Sequence, residues 1–354
     1  MTWPELLSDM KGTSLKQKIL IRKRKTKKQK IFAVLFAILL IFAILPYLIP
    51  VSKADGSLTF YPYEDSHFSE IDSVLLHYRL QVPANGQIKG RVILIHGLGG
   101  STYSFNQNVS SLVGSGYVVL SVDLPGFGYS SRRTDFDHSQ ISRGKLLWKL
   151  IEHVEDSGEI KTDNIRKNAA DESWFLAGHS MGGGTAAAMA YLNPGKTKSV
   201  ILLDGALLDT NQAPTWLFYI PPFDRYVQVI VEKFLITENN MKKFLTSAYG
   251  REPGKEALKK YSEPLLLPGT GRSALGLLKT SENIPLGMYE GLEVPFYGIW
   301  GREDAWVPFE QTQQIDKYIA DFEAICIEGA RHCPMETHSE EFNQILIAYL
   351  VSFE

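Results

Sequence analysis

Ser180 lies in Gly178-His179-Ser180-Met181-Gly182, between the apolar run Trp174–Ala177 and the Gly/Ala-rich stretch Met181–Leu192. A strand, sharp turn and helix with this spacing lift a serine hydroxyl above the end of a sheet, and the flanking glycines let the backbone close tightly. The competing reading is a glycine-rich packing turn. A serine hydroxyl is a poor nucleophile without a base to take its proton, and the base needs an acid to orient it. Of the eight histidines, only His332 and His338 follow the later acid candidate. His332 ends Gly329-Ala330-Arg331-His332, just past the apolar run Ala324–Ile327, where a base could face Ser180. His338 falls at the start of the last helix and reads as a surface residue. The expected acid is Asp304, in Gly301-Arg302-Glu303-Asp304 after the run Pro295–Trp300. Asp204, at the end of Val200–Leu203, competes for the role, and Glu303 is a third option. A lone aspartate at a strand end is ordinarily solvated or caps a helix; the order Ser…Asp…His favours chemistry here.

A tetrahedral intermediate also needs oxyanion donors. The backbone N–H of Met181, directly after the nucleophile at a helix N-terminus, is one candidate. Leu98 N–H is the other, in His96-Gly97-Leu98-Gly99-Gly100 after the run Arg91–Ile95. His96 reads as a structural support of that loop rather than a member of the triad.

These residues need strands that end at one edge of a sheet. Continuous apolar runs at Arg91–Ile95, Tyr117–Val122, Trp174–Ala177, Val200–Leu203, Pro295–Trp300 and Ala324–Ile327 read as buried strands. Helical stretches alternate with them over 103–113, 139–156, 181–192 and 340–352. Strands joined by helical crossovers imply a parallel sheet covered on both faces, with its site at the carboxyl ends of the strands. Residues 52–70 read as a linker and a first strand. The interval from Gly205 to Glu293 is too long for one crossover. It is rich in aromatics and prolines near its start, with helical stretches around 226–248 and 254–262, and reads as a helical cap over about 210–290. The plainer alternative is surface decoration.

Of 354 residues, 44% are hydrophobic and 21% charged, which excludes global disorder, and two cysteines exclude a disulfide framework and a four-thiolate zinc site. The net charge of −2 conceals an asymmetry. Residues 1–30 hold ten basic and two acidic side chains, or +8, leaving −10 for 31–354. Ile31–Val51 follows with no charge over 21 residues, about the length that crosses a hydrocarbon core as a helix. Basic residues flank only its N-terminal side, which predicts a cytoplasmic N-terminus and an extracytoplasmic body. The alternatives are a signal peptide cleaved near Ala54, in Ser52-Lys53-Ala54, and a buried soluble helix, which would normally carry a polar face. Beside a spanning helix, the basic tail fits anionic lipid better than nucleic acid. Cys326 reads as core and Cys333, beside the expected base, as a candidate reactive thiol; a disulfide between them is not expected. No metal-ligand set or phosphate loop is found, so no metal or cofactor is inferred.

With these motifs in this order, the sequence resembles the α/β-hydrolase superfamily over about residues 70–352. His96-Gly97 is similar to its oxyanion loop, Asp123-Leu124-Pro125-Gly126-Phe127-Gly128-Tyr129-Ser130 to its early D-x-x-G-x-G-x-S turn, and Gly178–Gly183 to its nucleophile elbow. Gly301–Pro308 resembles the acid loop, and Ala330–Phe342 the histidine loop, with Arg331 where a glycine is usual. Relatives resembling haloalkane dehalogenases or epoxide hydrolases carry Asp at the nucleophile position, whereas this chain has Ser180. Hydroxynitrile lyases and cofactor-free dioxygenases share the fold, so the resemblance does not itself prove hydrolysis.

The expected architecture is therefore a basic tail (1–30), a transmembrane anchor (31–51), a linker (52–70), and an α/β-hydrolase domain with a cap (71–354). The expected activity is hydrolysis of an apolar or amphipathic carboxylic ester through Ser180, His332 and Asp304. Acyl transfer, peptidase or perhydrolase-type chemistry on the same triad, and a non-catalytic membrane-tethered binding protein, are the alternatives. Expected partners are a small-molecule ester and membrane lipid; no nucleic acid is expected, and the oligomeric state is not legible.

Overall fold

A computed structural model describes residues 3–52, 61–84, 88–133, 135–160, 173–208 and 215–354. The chain opens with α1 (Trp3–Leu48), one helix that runs through the basic tail and the apolar run and ends two residues past Pro46. Its stretch Arg22–Leu48 is long and apolar enough to cross a membrane, and almost none of it is buried in the protein. Residues 53 and 54 of the alternative cleavage site lie outside the described residues.

The body is built on eight strands: β1 (Ser66–Ile71), β2 (Val74–Gln81), β3 (Gly90–Ile95), β4 (Tyr117–Val122), β5 (Trp174–His179), β6 (Thr197–Leu203), β7 (Phe296–Gly301) and β8 (Phe322–Ile327). Their order across the sheet is β1-β2-β4-β3-β5-β6-β7-β8. β1 pairs antiparallel with β2, and β2 antiparallel with β4. All other pairs are parallel, as the unbroken apolar runs require. β1 is the first strand expected within 52–70, beginning at Ser66, and its hairpin partner β2 is new relative to the sequence reading. β2 escaped notice because His77 and Arg79 interrupt its apolar residues. His77 is buried nonetheless, with its Nδ1 2.7 Å from the Asp123 carboxylate and its Nε2 2.8 Å from Ser66 Oγ.

Crossover helices cover both faces. α2 (Val109–Gly114) lies on one, and α3 (Gln140–Asp156) and α4 (Met181–Leu192) on the other. The helix expected over 103–113 divides into a 3₁₀ turn, Thr102–Phe105, and the short α2. Between them Asn108 turns inward and donates to Met335 O at 3.0 Å and Asn343 Oδ1 at 2.8 Å.

From Thr215 to Tyr289, between β6 and β7, the chain is helical: a 3₁₀ turn (Thr215–Tyr219), α5 (Phe223–Ile230), a π turn (Val231–Leu235), α6 (Glu238–Tyr249), α7 (Lys255–Leu265), α8 (Thr270–Thr280) and a last 3₁₀ turn. Thr237 caps α6 by accepting from Asn240 N, and Gly250 ends it in the left-handed region at φ +74°. Past β7 come the short α9 (Thr312–Ile315) and α10 (Pro334–Thr337), then α11 (Ser339–Val351), which packs on the α2 face. β8 is an edge strand with alternating exposure, so Cys326 is only partly buried rather than core.

Candidate active site

Ser180 occupies the turn between β5 and α4 with φ +49° and ψ −118°. A non-glycine residue held there costs about 1–3 kcal/mol, so its surroundings must impose it. Ser180 N donates to Leu203 O at 3.0 Å, while Ser180 O accepts from Gly183 and Ala206 N–H, each at 2.9 Å. The flanking glycines are steric necessities. A Cβ on Gly178 would lie 2.2 Å from Gly182 O, and one on Gly182 the same distance from Ile95 O.

His332 follows β8, and Asp304 follows β7. His332 Nδ1 lies 2.7 Å from Asp304 Oδ2. Asp304 Oδ1 accepts from the backbone N–H of Trp306 at 2.7 Å and Val307 at 3.1 Å. Burial would raise this carboxyl, but the hydrogen bond to His332, its charge and the two amides together hold it below the usual carboxylate range. Nδ1 therefore carries the proton, which leaves Nε2 with a free lone pair. The Trp306 ring packs against the imidazole at 4.8 Å between centroids.

The histidine loop has a second tether in His179, which precedes Ser180. Its Nε2 lies 2.7 Å from the carbonyl of His332, which can only accept. Burial first, then the neighbouring His332 charge, lowers His179 to about 3, so it remains a neutral donor. This contact was not anticipated from the sequence; the only signal was His179's place inside the motif. Arg331 occupies the usual glycine position without displacing His332, because its side chain leaves the site. It lies 3.8 Å from Glu303 and runs beneath Gly250, where a Cβ would fall 2.8 Å from Arg331 Cδ. Glu303 thus pairs at the surface, and His338 faces Thr337 Oγ1 at 3.0 Å.

Asp204, the competing acid, is fully buried with φ +45°. Its Oδ1 accepts from Gly301 N at 2.9 Å, and its Oδ2 has no hydrogen-bond donor among the described residues. Burial, then the charge of Asp304, raises its carboxyl well above the usual range. Asp204, Asp304 and His332 each bring one ligand atom to within 4.8 Å of the others. Asp304 Oδ2 and His332 Nδ1 are already engaged with each other, and Asp304 Oδ1 with two amides.

His96 accepts from Leu124 N at 3.0 Å through Nε2, and its Nδ1 lies 2.7 Å from Gly97 O. It fixes the loop that carries Leu98. Among the described residues neither Leu98 N–H nor Met181 N–H has an acceptor in the protein. Leu98 borders a cavity of about 90 Å³ that also contains Ser180 and His332. Phe244, Leu245 and Ala248 of α6 and Tyr261 of α7 close it from the cap side. Cys333 lines it too, but burial pushes its thiol well up, so it is a packing residue rather than a reactive thiol.

Behind this wall Glu336 accepts from Tyr249 Oη at 2.7 Å and Tyr261 Oη at 2.5 Å. Burial pushes Glu336 up to about 7, although both tyrosines stabilise its anion.

Strands, nucleophile turn and paired histidine and aspartate together define an α/β-hydrolase of the serine type. Residues 86–339 match the family described as serine aminopeptidase, S33, and the chain belongs to it. It is 25% identical over 302 residues to 2-hydroxy-6-oxononadienedioate/2-hydroxy-6-oxononatrienedioate hydrolase of Cupriavidus pinatubonensis, covering 80% of this chain and 95% of that enzyme. The fold is similar to the meta-cleavage product hydrolase of Pseudomonas fluorescens, with a TM-score of 0.64 at 19% identity, covering 81% of this chain and 98% of that one. It is also similar to a bacterial membrane phospholipase A, with a TM-score of 0.62 at 18% identity, covering 93% of this chain and 98% of that one.

Proposed function

We propose that this chain is a membrane-anchored hydrolase that cleaves an uncharged, apolar or amphipathic carboxylic ester through Ser180, His332 and Asp304. The observation that carries the reading is that Ser180, on its strained turn, and His332, held by Asp304, open onto one apolar cavity. Ser180 Oγ attacks the ester carbonyl as His332 Nε2 takes its proton. The oxyanion is received by the N–H groups of Leu98 and Met181. The imidazolium, stabilised by Asp304, gives the proton to the leaving alkoxide. Water activated by His332 then attacks the acyl-enzyme, and the acid leaves.

The cavity lining argues for an uncharged substrate. It contains no Lys or Arg among the described residues, so it offers no counter-charge to a dioate of the kind named for the Cupriavidus enzyme. Nor does it include a carboxylate to receive a free α-ammonium group, which disfavours an aminopeptidase role.

The anchor reading is supported by how the body holds the end of α1. Arg225 donates to Pro46 O at 3.2 Å and Ile49 O at 2.8 Å, Tyr226 Oη donates to Phe42 O at 2.9 Å, and Ser52 N donates to Glu232 at 3.0 Å. A signal peptide discarded at residue 54 would have no use for such a seat. The basic flank supports an extracytoplasmic body.

A fluorophosphonate probe tests the site directly. It should label the full chain at Ser180, and Ser180→Ala should lose both the label and hydrolysis of a butyrate ester. Full esterase activity in Ser180→Ala would sink the mechanism, and an unlabelled wild type would favour the binding-protein alternative.

A further inference from the structure

We propose that the cap is itself a membrane-contacting element, and that the face formed by its first 3₁₀ turn, α5 and the π turn sits among the acyl chains of the leaflet opposite the basic tail. The proposal rests on reading α1 as an anchor, and it follows from where along α1 the cap is attached. Phe42 stacks on Tyr226 at 4.8 Å and meets Phe223 edge-on at 5.7 Å. Arg225 reaches Pro46 and Ile49, and Glu232 reaches Ser52. α5 therefore runs alongside the end of α1 in the same direction, with its N-terminal end at the level of Phe42.

That level is deep. Six residues separate Phe42 from Leu48, the end of the helix, and at ~1.5 Å rise per residue this is about 9 Å. Ile31–Val51 is only about as long as the hydrocarbon core is thick, so Phe42 cannot stand clear of it if the helix spans. Phe223 and Tyr226 must share that depth.

The surrounding cap surface is suited to it. Trp216, Tyr219, Ile220, Phe223, Phe234 and Leu235 are all exposed large apolar side chains. A patch of this kind on a water-soluble face would be an aggregation liability. Next to a spanning helix it is continuous with the apolar surface of that helix, and its Trp and Tyr belong to the types that collect where acyl chains meet headgroups. Arg225 is spent on the carbonyls that the end of α1 leaves open. Lys233 of the π turn is exposed and Lys279 Nζ lies 4.8 Å from the Tyr219 ring, and side chains of this length can carry their charge out to the headgroups. This contact depth is that of an interfacial element, about 5–10 Å into the headgroup–acyl boundary, rather than of a second span.

Depth-resolved fluorescence quenching tests the proposal on the full chain in phosphatidylcholine vesicles. Emission is compared between wild type and Trp216→Phe, a mild change at an exposed site, with fluorophosphonate labelling as the check on folding. Lipids brominated in the upper part of the acyl chain should quench the Trp216 share of the emission by about half or more, and lipids brominated at the chain end should quench it less. Acrylamide in the water should quench it little. Strong acrylamide quenching with no bromine effect, in a chain that resists carbonate extraction, would overturn the cap contact and leave the anchor standing. Shielding from both quenchers would mean that protein, such as a second copy, covers the face, and would also overturn the proposal. Extraction by carbonate would remove the anchor reading and this inference with it.

Discussion

Asp204 and Asp304 are buried together beneath His332 with their carboxyls shifted in opposite directions. Asp304 is held below the usual carboxylate range by His332 and two amides, and Asp204 is driven well above it by burial and by Asp304 itself. A carboxyl whose ionisation burial opposes is a poor partner for an imidazolium, so we propose Asp304 rather than Asp204 as the group that orients His332.

The two asparagine variants should therefore behave unequally. Asp304→Asn should lower kcat by about 10⁴-fold, as expected when an imidazole loses its orienting carboxylate. Asp204→Asn replaces a neutral carboxyl with a neutral amide that can still accept from Gly301 N–H, and should lower kcat by less than about 10-fold. Ester hydrolysis by both variants at pH 7.5 checks this; equal losses would mean that the pair acts as one unit.

Gly97 offers a test of preorganisation away from the reacting groups. A Cβ at this position would lie 2.8 Å from His179 Nδ1 and 3.0 Å from Ser180 Cβ. Neither neighbour yields freely, because His179 is tied to the His332 carbonyl and Ser180 belongs to a strained turn. Gly97→Ala should reduce kcat by about 100-fold, the scale expected for a misplacement near 1 Å, with little change in KM. Steady-state kinetics would detect it, and an unchanged kcat would show that the elbow accommodates the methyl group.

The legible parts of this site were those where a local rule dictates the residue. The turn at Ser180 admits only small flanks, so it announces itself as a motif. The central parallel strands read as apolar runs because both their faces are covered, and the edge strand β8 reads as one only through its end, Ala324–Ile327. β2 is hidden in the sequence because its His77 and Arg79 are polar groups satisfied inside the fold by Asp123 and Asp65, so buried polarity resembles a surface. Asn108 broke a predicted helix for the same reason, by bonding to Met335 and Asn343. The sequence already prefers Asp304 to Asp204, but the amides of Trp306 and Val307 that solvate its carboxylate emerge only in the fold. The seat of α1 on Arg225 and Tyr226 joins segments about 180 residues apart and was equally invisible.

Glu336 gives the fold a pH dependence of predictable sign. Its carboxyl is raised to about 7 in the folded chain, above the unfolded value. Its contribution is thus fully present below the ordinary glutamate range and fades as pH rises through about 7. Glu336→Gln removes the titration while keeping an acceptor for Tyr249 or Tyr261. Wild type and variant should melt at similar temperatures at pH 5, and the variant should be the more stable at pH 8, by a margin on the order of 2 kcal/mol. Thermal unfolding in detergent at the two pH values decides it; a gap that does not change with pH would mean that Glu336 ionises normally.

If the cavity receives the acyl group, as we propose, Leu245 limits its length. It is almost fully buried and forms part of the cap-side wall of a cavity of about 90 Å³. An apolar cavity of about 150 Å³ accommodates a benzene ring, so the enclosed space here suits an acyl group of only a few carbons. Leu245→Ala removes three carbons from that wall. It should cost about 2–5 kcal/mol of stability if the space stays empty, and the same space becomes available to a longer substrate. The wild type should prefer butyrate to octanoate esters in kcat/KM, and the variant should reverse or erase that preference while Ser180 labelling persists. An unchanged ratio in a folded, labelled variant would mean that the acyl chain lies elsewhere, along the open side of the site past Leu98.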